Sequence, residues 1–317
     1  MRIVFMGTPE FAVSSLEALV EAGFDVAAVV TAPDKPAGRG QKLNESAVKK
    51  YAVSKGLPAL QPVKLKDPAF LKELKELKAD LHVVVAFRML PDVVLSIPPK
   101  GTINLHASLL PQYRGAAPIN WTIINGETQT GVTTFFIRKE IDTGNILFSE
   151  IVAITEDETA GGLHDKLMKT GAQLLTQTVK AVESGQYEEI PQDTMIQAQI
   201  NVPESNPDNY RDLKPAPKIF KEHCLIEWNH PVSIVHNKIR GLSPSPTAYT
   251  IFNDKILRIF HAEKQEKEPG IQPGGFLSDG KTYLKFACQD GFICLHELQL
   301  EGKKRMGIEE FLRGVRL

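Results

Sequence analysis

The run Leu81–Phe87 constrains the fold of this 317-residue chain more than any other stretch. Apart from His82, its apolar residues occupy successive positions, not alternate ones. Side chains of a strand point alternately to opposite faces, so such a strand needs cover on both. That is the habit of a central strand in a parallel sheet with helices above and below. The flanking sequence agrees. Arg2–Met6 and Asp25–Thr31 are further apolar runs, and Pro9–Ala22 between them has helical spacing in Phe11, Leu16, Leu19 and Val20, ended by Gly23. Ser46–Lys55 and Asp67–Lys78 read as helices, the second with Phe70, Leu71, Leu74 and Leu77 on one stripe. This alternation predicts an α/β domain with a doubly wound, mostly parallel, Rossmann-like sheet.

The pattern continues beyond a turn at Pro98–Gly101. Thr102–His106 reads as a strand, Pro118–Asn125 as a helix, and Gly131–Ile137 and Asn145–Ile154 as strands separated by Asp142, Thr143 and Gly144. Thr159–Ser184 reads as a long helix with Thr159 as its N-cap. Residues 186–217 then carry Pro191, Pro203, Pro207, Pro215 and Pro217 among polar residues, the composition of a linker. Beyond it Ile219–Trp228 resembles a strand and Pro231–Arg240 a short helix. Short strands follow, with turn signals at Asn253–Asp254, Gly274–Gly275, Asp279–Gly280 and Asp290–Gly291, and Ile308–Val315 closes the sequence as a helix. Closely spaced strands of this kind predict a small antiparallel, OB-like barrel. The expected organisation is a domain over 1–190, a linker over 191–212 and a second domain over 213–317.

Bulk properties exclude several classes. Met1–Gly7 has too short an apolar core for a secretion signal and reads as a buried first strand. No window approaches the roughly 18 apolar residues of a membrane helix. Cys224, Cys288 and Cys294 are odd in number and contain no Cys-x-x-Cys pair, so neither a disulfide frame nor a zinc site is expected, and buried thiols in a reducing cytoplasm are. The net charge of −1 announces no polyanion binder, although residues 205–317 hold 17 Lys+Arg against 14 Asp+Glu and the remainder 20 against 24. That distribution permits a nucleic-acid partner for the C-terminal third.

The chemistry gathers around the Thr102–His106 strand. Asn104 and His106 share one face of it, at the carboxyl end where open α/β sheets bind ligands. An amide there can hold a developing oxyanion and an imidazole can steer a proton. Taken alone, such a pair commonly partners turn backbone groups instead. Asp142, in an everyday turn sequence, would orient His106 if the two met. Residues 113–115, following Pro111, read either as packing with a surface cation or as a rigid cleft wall. Gly7-Thr8-Pro9-Glu10 lacks the Gly-x-Gly-x-x-Gly spacing and reads as a tight turn, which argues against a dinucleotide site. Asp34–Lys42 combines Gly38, Gly40 and Pro36 with Lys35, Arg39 and Lys42. Its composition suits a solvated surface loop or, alternatively, a basic finger for phosphates. The other histidines have no mutual metal-ligand spacing, and no metal is expected.

Together these residues resemble the formyltransferase family that uses 10-formyltetrahydrofolate. The resemblance covers nearly the whole chain: Arg2–Pro9 with Phe11, Pro33–Gly40, Asn104–Pro118, Ile141–Gly144 and the barrel-like C-terminal region. It implies formyl transfer without metal, with Asn104, His106 and Asp142 as catalytic residues. It implies folate contacts at Ser108, Leu109, Leu110 and Pro111, and a pterin-pocket loop containing Phe87 and Met89. The Pro36–Gly40 loop and the C-terminal region are similar to members whose acceptor is methionine on initiator tRNA. Arg39 and Lys42 would then grip tRNA, as would the C-terminal barrel. Members acting on glycinamide ribonucleotide or an amino sugar nucleotide share the core, and an RNA-binding protein with a dead core is the non-enzymatic alternative. No membrane or protein partner is implied, and a monomer is expected. Two departures stand out: Ala86–Pro91 is one residue shorter than the family's usual stretch, and the linker from 191 to 217 is longer.

Overall fold

The computed structural model describes residues 1–37, 42–194 and 213–315, and the side chains of 36, 37, 42 and 43 are not described. The chain packs as two compact units. The first comprises Met1–Arg114, Gly131–Val152 and Asp165–Lys214, and the second Gly115–Thr130, Ala153–His164 and Pro215–Leu317. The division is not one cut at the proline-rich stretch, because two inner segments pack with the C-terminal region. Within the second unit, the helix Pro118–Ile124 packs on the helix Val232–Gly241, and the Asn120 amide donates to the Gly241 carbonyl at 2.8 Å. A Cβ on Gly241 would stand 2.7 Å from the Ile124 side chain, so the absence of one lets the two helices touch.

The first unit is built on a seven-stranded sheet. Its strands are β1 (Arg2–Gly7), β2 (Asp25–Val30), β5 (Ala59–Leu60), β6 (Leu81–Val85), β7 (Thr102–His106), β8 (Gln129–Phe136) and β9 (Ile146–Ala153), and their order is β5-β2-β1-β6-β7-β8-β9. Pairings from β5 to β7 are parallel, and β8 lies antiparallel to β7. All five residues of β6 are buried, as its sequence requires. On one face Val4, Met6, Val30 and Val84 pack against Phe70 and Leu74 of the helix Pro68–Glu76. On the other, Leu105 lies under Gly171 of the long helix Ala160–Ser184, where a Cβ would come within 2.8 Å of it. Asp67 and Ser46 cap the helices that follow them, each side chain accepting backbone N–H bonds. Between β2 and the helix Ala47–Ser54 lies a hairpin absent from the sequence reading, β3 (Lys35–Ala37) with β4 (Lys42–Asn44).

The second unit contains an antiparallel sheet curled into a half-barrel. Its strands are β10 (Ala248–Phe252), β11 (Lys255–Gln265), β12 (Phe276–Ser278), β13 (Leu284–Ala287), β14 (Phe292–Leu300) and β15 (Met306–Gly307), in the order β10-β11-β14-β13-β12 with β15 on β14. Val235 and Ile239 of the helix join Leu257, Ile259, Phe286 and Leu298 in its core, and Trp228 stacks on Phe286 with centroids 4.7 Å apart. Asn253 and Asp254 both adopt positive φ in the β10–β11 turn, the geometry a two-residue hairpin prefers. Ile219–Trp228 is not the expected strand. Lys221–Cys224 forms a 3-10 turn in which His223 Nδ1 accepts the Phe220 N–H, and only Leu225 bridges to the sheet, at Tyr249. Local side-chain bonding has overridden the apolar alternation there. All three cysteines are free, and burial pushes Cys288 up to about 12.

His82 lies in the centre of the first sheet with both ring nitrogens buried and unpartnered, and desolvation lowers its pKa from 6.5 to about 4. An unfolded chain takes up this proton near pH 6.5. Between pH 6.5 and 4 the unfolded state therefore binds more protons, and stability falls as pH falls, by about 3 kcal/mol across the whole window. Urea melts across this range should show a flatter acid limb for His82→Leu than for the wild type. Identical pH slopes would mean that His82 does not set that limb.

Candidate active site

Strand register brings the site together at the carboxyl edge of the sheet. Gly7 pairs with Val85, Val84 with Asn104, and His106 with Thr133 across the antiparallel neighbour. Because Leu105 faces the long helix, Asn104 and His106 face the opposite side. Asn104 is partly exposed, and His106 is buried with 7% of its surface accessible. The ring of His106 is held at one nitrogen and faces a carboxylate with the other. Nε2 meets the Tyr113 carbonyl at 2.9 Å, and Nδ1 lies 3.9 Å from a carboxylate oxygen of Asp142.

Two strained turns deliver those oxygens. Tyr113, at φ +59, is buried, and its N–H donates to the Lys214 carbonyl at 2.7 Å. Asp142 has φ +54, a left-handed conformation that Asp tolerates better than most residues. Two residues on, a Cβ on Gly144 would lie 1.6 Å from the Phe136 carbonyl oxygen, so the chain passes there only as glycine. Gln192 spans the two turns. Its amide nitrogen donates to the carbonyls of Asp142 and Gly144, both at 2.8 Å, and its oxygen accepts from Arg114 Nε at 3.0 Å and from Nη2. Gln192 lies in a stretch of linker composition, and no local sequence pattern marks it.

The segment after His106 is braced from within. The Ser108 hydroxyl donates to the Gln112 carbonyl at 2.7 Å, and the Thr133 hydroxyl donates to Ser108 O and accepts from the Leu110 N–H. Ser108, Leu110 and Pro111 are buried and Leu109 is half-buried, while Leu110 packs with Phe135 and Ile146. After β6, Ala86 turns the chain at φ +47. Phe87 then packs partly into the sheet core, Leu90 is buried and Met89 is 70% exposed. Arg88 clips this loop down by donating to the Pro62 and Val63 carbonyls. Asp142 is thus brought to His106, and Asn104 shares the strand face of His106, with Ser108–Pro111 leaving the same strand end.

Arg39 lies outside the described residues, and so does the Lys42 side chain. Just before β3, the Asp34 carboxylate accepts from Lys49 and Gln61 and is held below its usual range by them. Among the described residues no group of three His, Cys, Asp or Glu is placed to hold a metal, and no helix is long and apolar enough to cross a membrane.

An open α/β sheet with an amide, an imidazole and a carboxylate toward one strand end has the groups that carbonyl chemistry calls for. Comparison with known proteins gives the family. A family described as formyl transferase matches residues 1–179, and its C-terminal domain matches residues 218–316. Curated relatives named methionyl-tRNA formyltransferase include those of Bacteroides fragilis, 51% identical over 100% of this chain and 96% of the relative, and Parabacteroides distasonis, 53% identical over 99% and 95%. The fold is shared with a solved N-formyltransferase of Helicobacter canadensis in complex with folinic acid and dTDP-3-aminofucose, at a TM-score of 0.68 and 21% identity over 94% of this chain and 99% of that one. HypX of Aquifex aeolicus in complex with tetrahydrofolic acid gives a TM-score of 0.64 and 18% identity over 99% of this chain and 48% of that one. The chain belongs to the formyl transferase family.

The close approach at Gly144 has a direct consequence. Gly144→Ala should destabilise the protein by about 1–3 kcal/mol through overpacking and displace the Asp142 turn. Urea unfolding would show it, and wild-type stability would mean that the turn relaxes freely.

Proposed function

We propose that this protein transfers the formyl group of 10-formyltetrahydrofolate to the α-amino group of methionine on initiator tRNA, yielding the N-formylmethionyl-tRNA that starts translation. The observation that carries the reading is full-length similarity at about half identity, 51% and 53% for two relatives, to proteins bearing the name methionyl-tRNA formyltransferase. The fold shared with sugar-nucleotide formyltransferases is far more distant in sequence, at 21% identity.

The residues at the strand end fit a reduced folate. Phe87, Leu90 and Ile137 give apolar surface, and the Ala86–Leu90 backbone supplies hydrogen-bonding groups beside it. A pteridine needs such a slot with few placed polar contacts. Phe87, Met89 and Leu109 would touch it, while Ser108, Leu110 and Pro111 shape the floor. When bound, the folate supplies an activated formyl carbon. Asn104 donates its amide N–H to the formyl oxygen as charge develops there. Nε2 of His106 is engaged by Tyr113, so Nδ1 is the nitrogen left to face the reacting atoms, within reach of Asp142. Asp142 keeps the ring oriented and takes the proton that the amine loses as its new N–C bond forms; the donor's N–C bond then breaks with its electron pair on the folate nitrogen, which receives that proton from Asp142. Each preorganised donor of this kind is worth about 3 kcal/mol in the transition state.

Arg39 and Lys42 serve the tRNA in this reading, as does the C-terminal region 213–317. The support is a glycine-flanked cationic loop and the excess of cations in the C-terminal third. Formyl transfer to charged initiator tRNA, glycinamide ribonucleotide and an amino sugar nucleotide, measured side by side, tests the function. Transfer confined to either small acceptor would overturn it. Asn104→Ala, His106→Ala and Asp142→Ala should each cut turnover about a hundredfold with tRNA affinity nearly unchanged, since the lost interactions strengthen only in the transition state. Near-normal turnover in Asn104→Ala would remove its oxyanion role. Arg39→Ala should weaken tRNA binding and flatten its salt dependence, because fewer counterions are released. A rise in the folate KM alone would instead assign the loop to the donor pocket.

A further inference from the structure

We propose that Gln192 is a positioning residue for formyl transfer, a clamp that sets the Asp142 carboxylate against His106. The proposal rests on the functional reading above and adds to it a residue outside the catalytic trio.

Gln192 is 2% exposed, unusual for a residue type that prefers water. Burial of its amide is tolerable only if its polar atoms are matched, and they are. Both amide hydrogens are taken, by the carbonyls of Asp142 and Gly144, and the oxygen receives two N–H groups of Arg114. The orientation is unambiguous, because a flipped amide would set its oxygen against two carbonyls and its hydrogens against a guanidinium. The residue is itself anchored. Ile190, two positions earlier, exchanges a pair of 2.9 Å backbone hydrogen bonds with Ile146 of β9.

The two turns joined by this amide are those that hold His106. Asp142 brings its carboxylate to 3.9 Å from Nδ1, and Tyr113, next to Arg114, accepts from Nε2. A separation of 3.9 Å exceeds a hydrogen bond, so the Asp142 contact depends on where the turn stands. Asp142 is also in a left-handed conformation, which persists only where surrounding contacts determine it. Gln192 grips the turn on both sides of Thr143 and ties it to the segment that fixes the imidazole. Displacements of about 1 Å in such geometry cost up to about a hundredfold in rate.

Two variants separate the halves of the clamp. Gln192→Met keeps the length and removes every bond, whereas Gln192→Glu retains a partner for Arg114 and loses donation to the two carbonyls. Both should lower kcat by about 10- to 100-fold, with the KM values for folate and tRNA within about threefold of wild type. In an Asp142→Ala background Gln192→Met should cost less than about threefold more, because its route to the chemistry is already gone. Wild-type turnover in Gln192→Glu, or full multiplicative losses in the double variant, would overturn the proposal. A wild-type chain silent toward methionyl-tRNA would instead overturn the functional reading. The crystal structure of Gln192→Met then decides the clamp: an Asp142 carboxylate displaced from His106 by about 1 Å or more supports it, and an unmoved one overturns it.

Discussion

Leu81–Val85 lies between β1 and β7 with all five side chains out of water, and the parallel pairing this enforces aligns three strand ends. Gly7, Val85 and Leu105 fall in register, so the loops leaving them meet at one edge. Burial of β6 on both faces also rules out a one-residue slip in β7, because a slip would send Asn104 and His106 under the long helix and Leu105 into the cleft. The face that carries Asn104 and His106 thus follows from hydrophobic burial before any polar interaction is formed. Parallel sheets concentrate function at this edge for the same reason.

Polar chemistry then converts an edge into a site. His106 is almost fully enclosed, yet each ring nitrogen faces an oxygen, one a backbone carbonyl and one a carboxylate. Neither acceptor comes from a regular element. Tyr113 and Asp142 sit in turns of positive φ, and what stabilises those turns is packing and hydrogen bonding from elsewhere: Lys214 behind Tyr113, Gln192 behind Asp142, and the bare Cα of Gly144 against Phe136. Positive-φ residues thus flank His106 on both sides, and such conformations persist where surrounding contacts determine them. Meanwhile Thr133 and Ser108 consume their hydroxyls within the loop after His106, so that loop is stiff without any contribution from a ligand.

Much of this was legible beforehand. The alternation of apolar runs with helical stripes places β1, β2, β6 and β7 within a residue or two of where they stand, because burial on a sheet or a helix leaves a periodic trace. Asn104 and His106 are legible as a pair since strand period alone puts them on one face. The turn glycine at 144 is legible as a turn. Ile219–Trp228 misleads because an apolar alternation cannot reveal that His223 would bond the Phe220 amide and close a 3-10 turn. The hairpin β3–β4 carries no apolar signal, and the cluster of cations within it masks a short pairing. Gln192 is invisible for a different reason: its partners lie 48 to 78 positions away in sequence, and nothing near it in the chain indicates burial.

By itself, then, the sequence determined the architecture and which polar side chains stand at the carboxyl edge of the sheet. Apolar periodicity dictates which faces are buried, and strand alternation dictates which side chains share the exposed one. It could not determine that Asp142 meets His106, that Tyr113 offers its carbonyl rather than its ring, or that Gln192 holds their two turns together. Those are encounters between segments far apart in the chain, at distances where a single ångström changes the interaction. Local propensity carries no information about them, and they exist only once the sheet has brought its loops to a common edge.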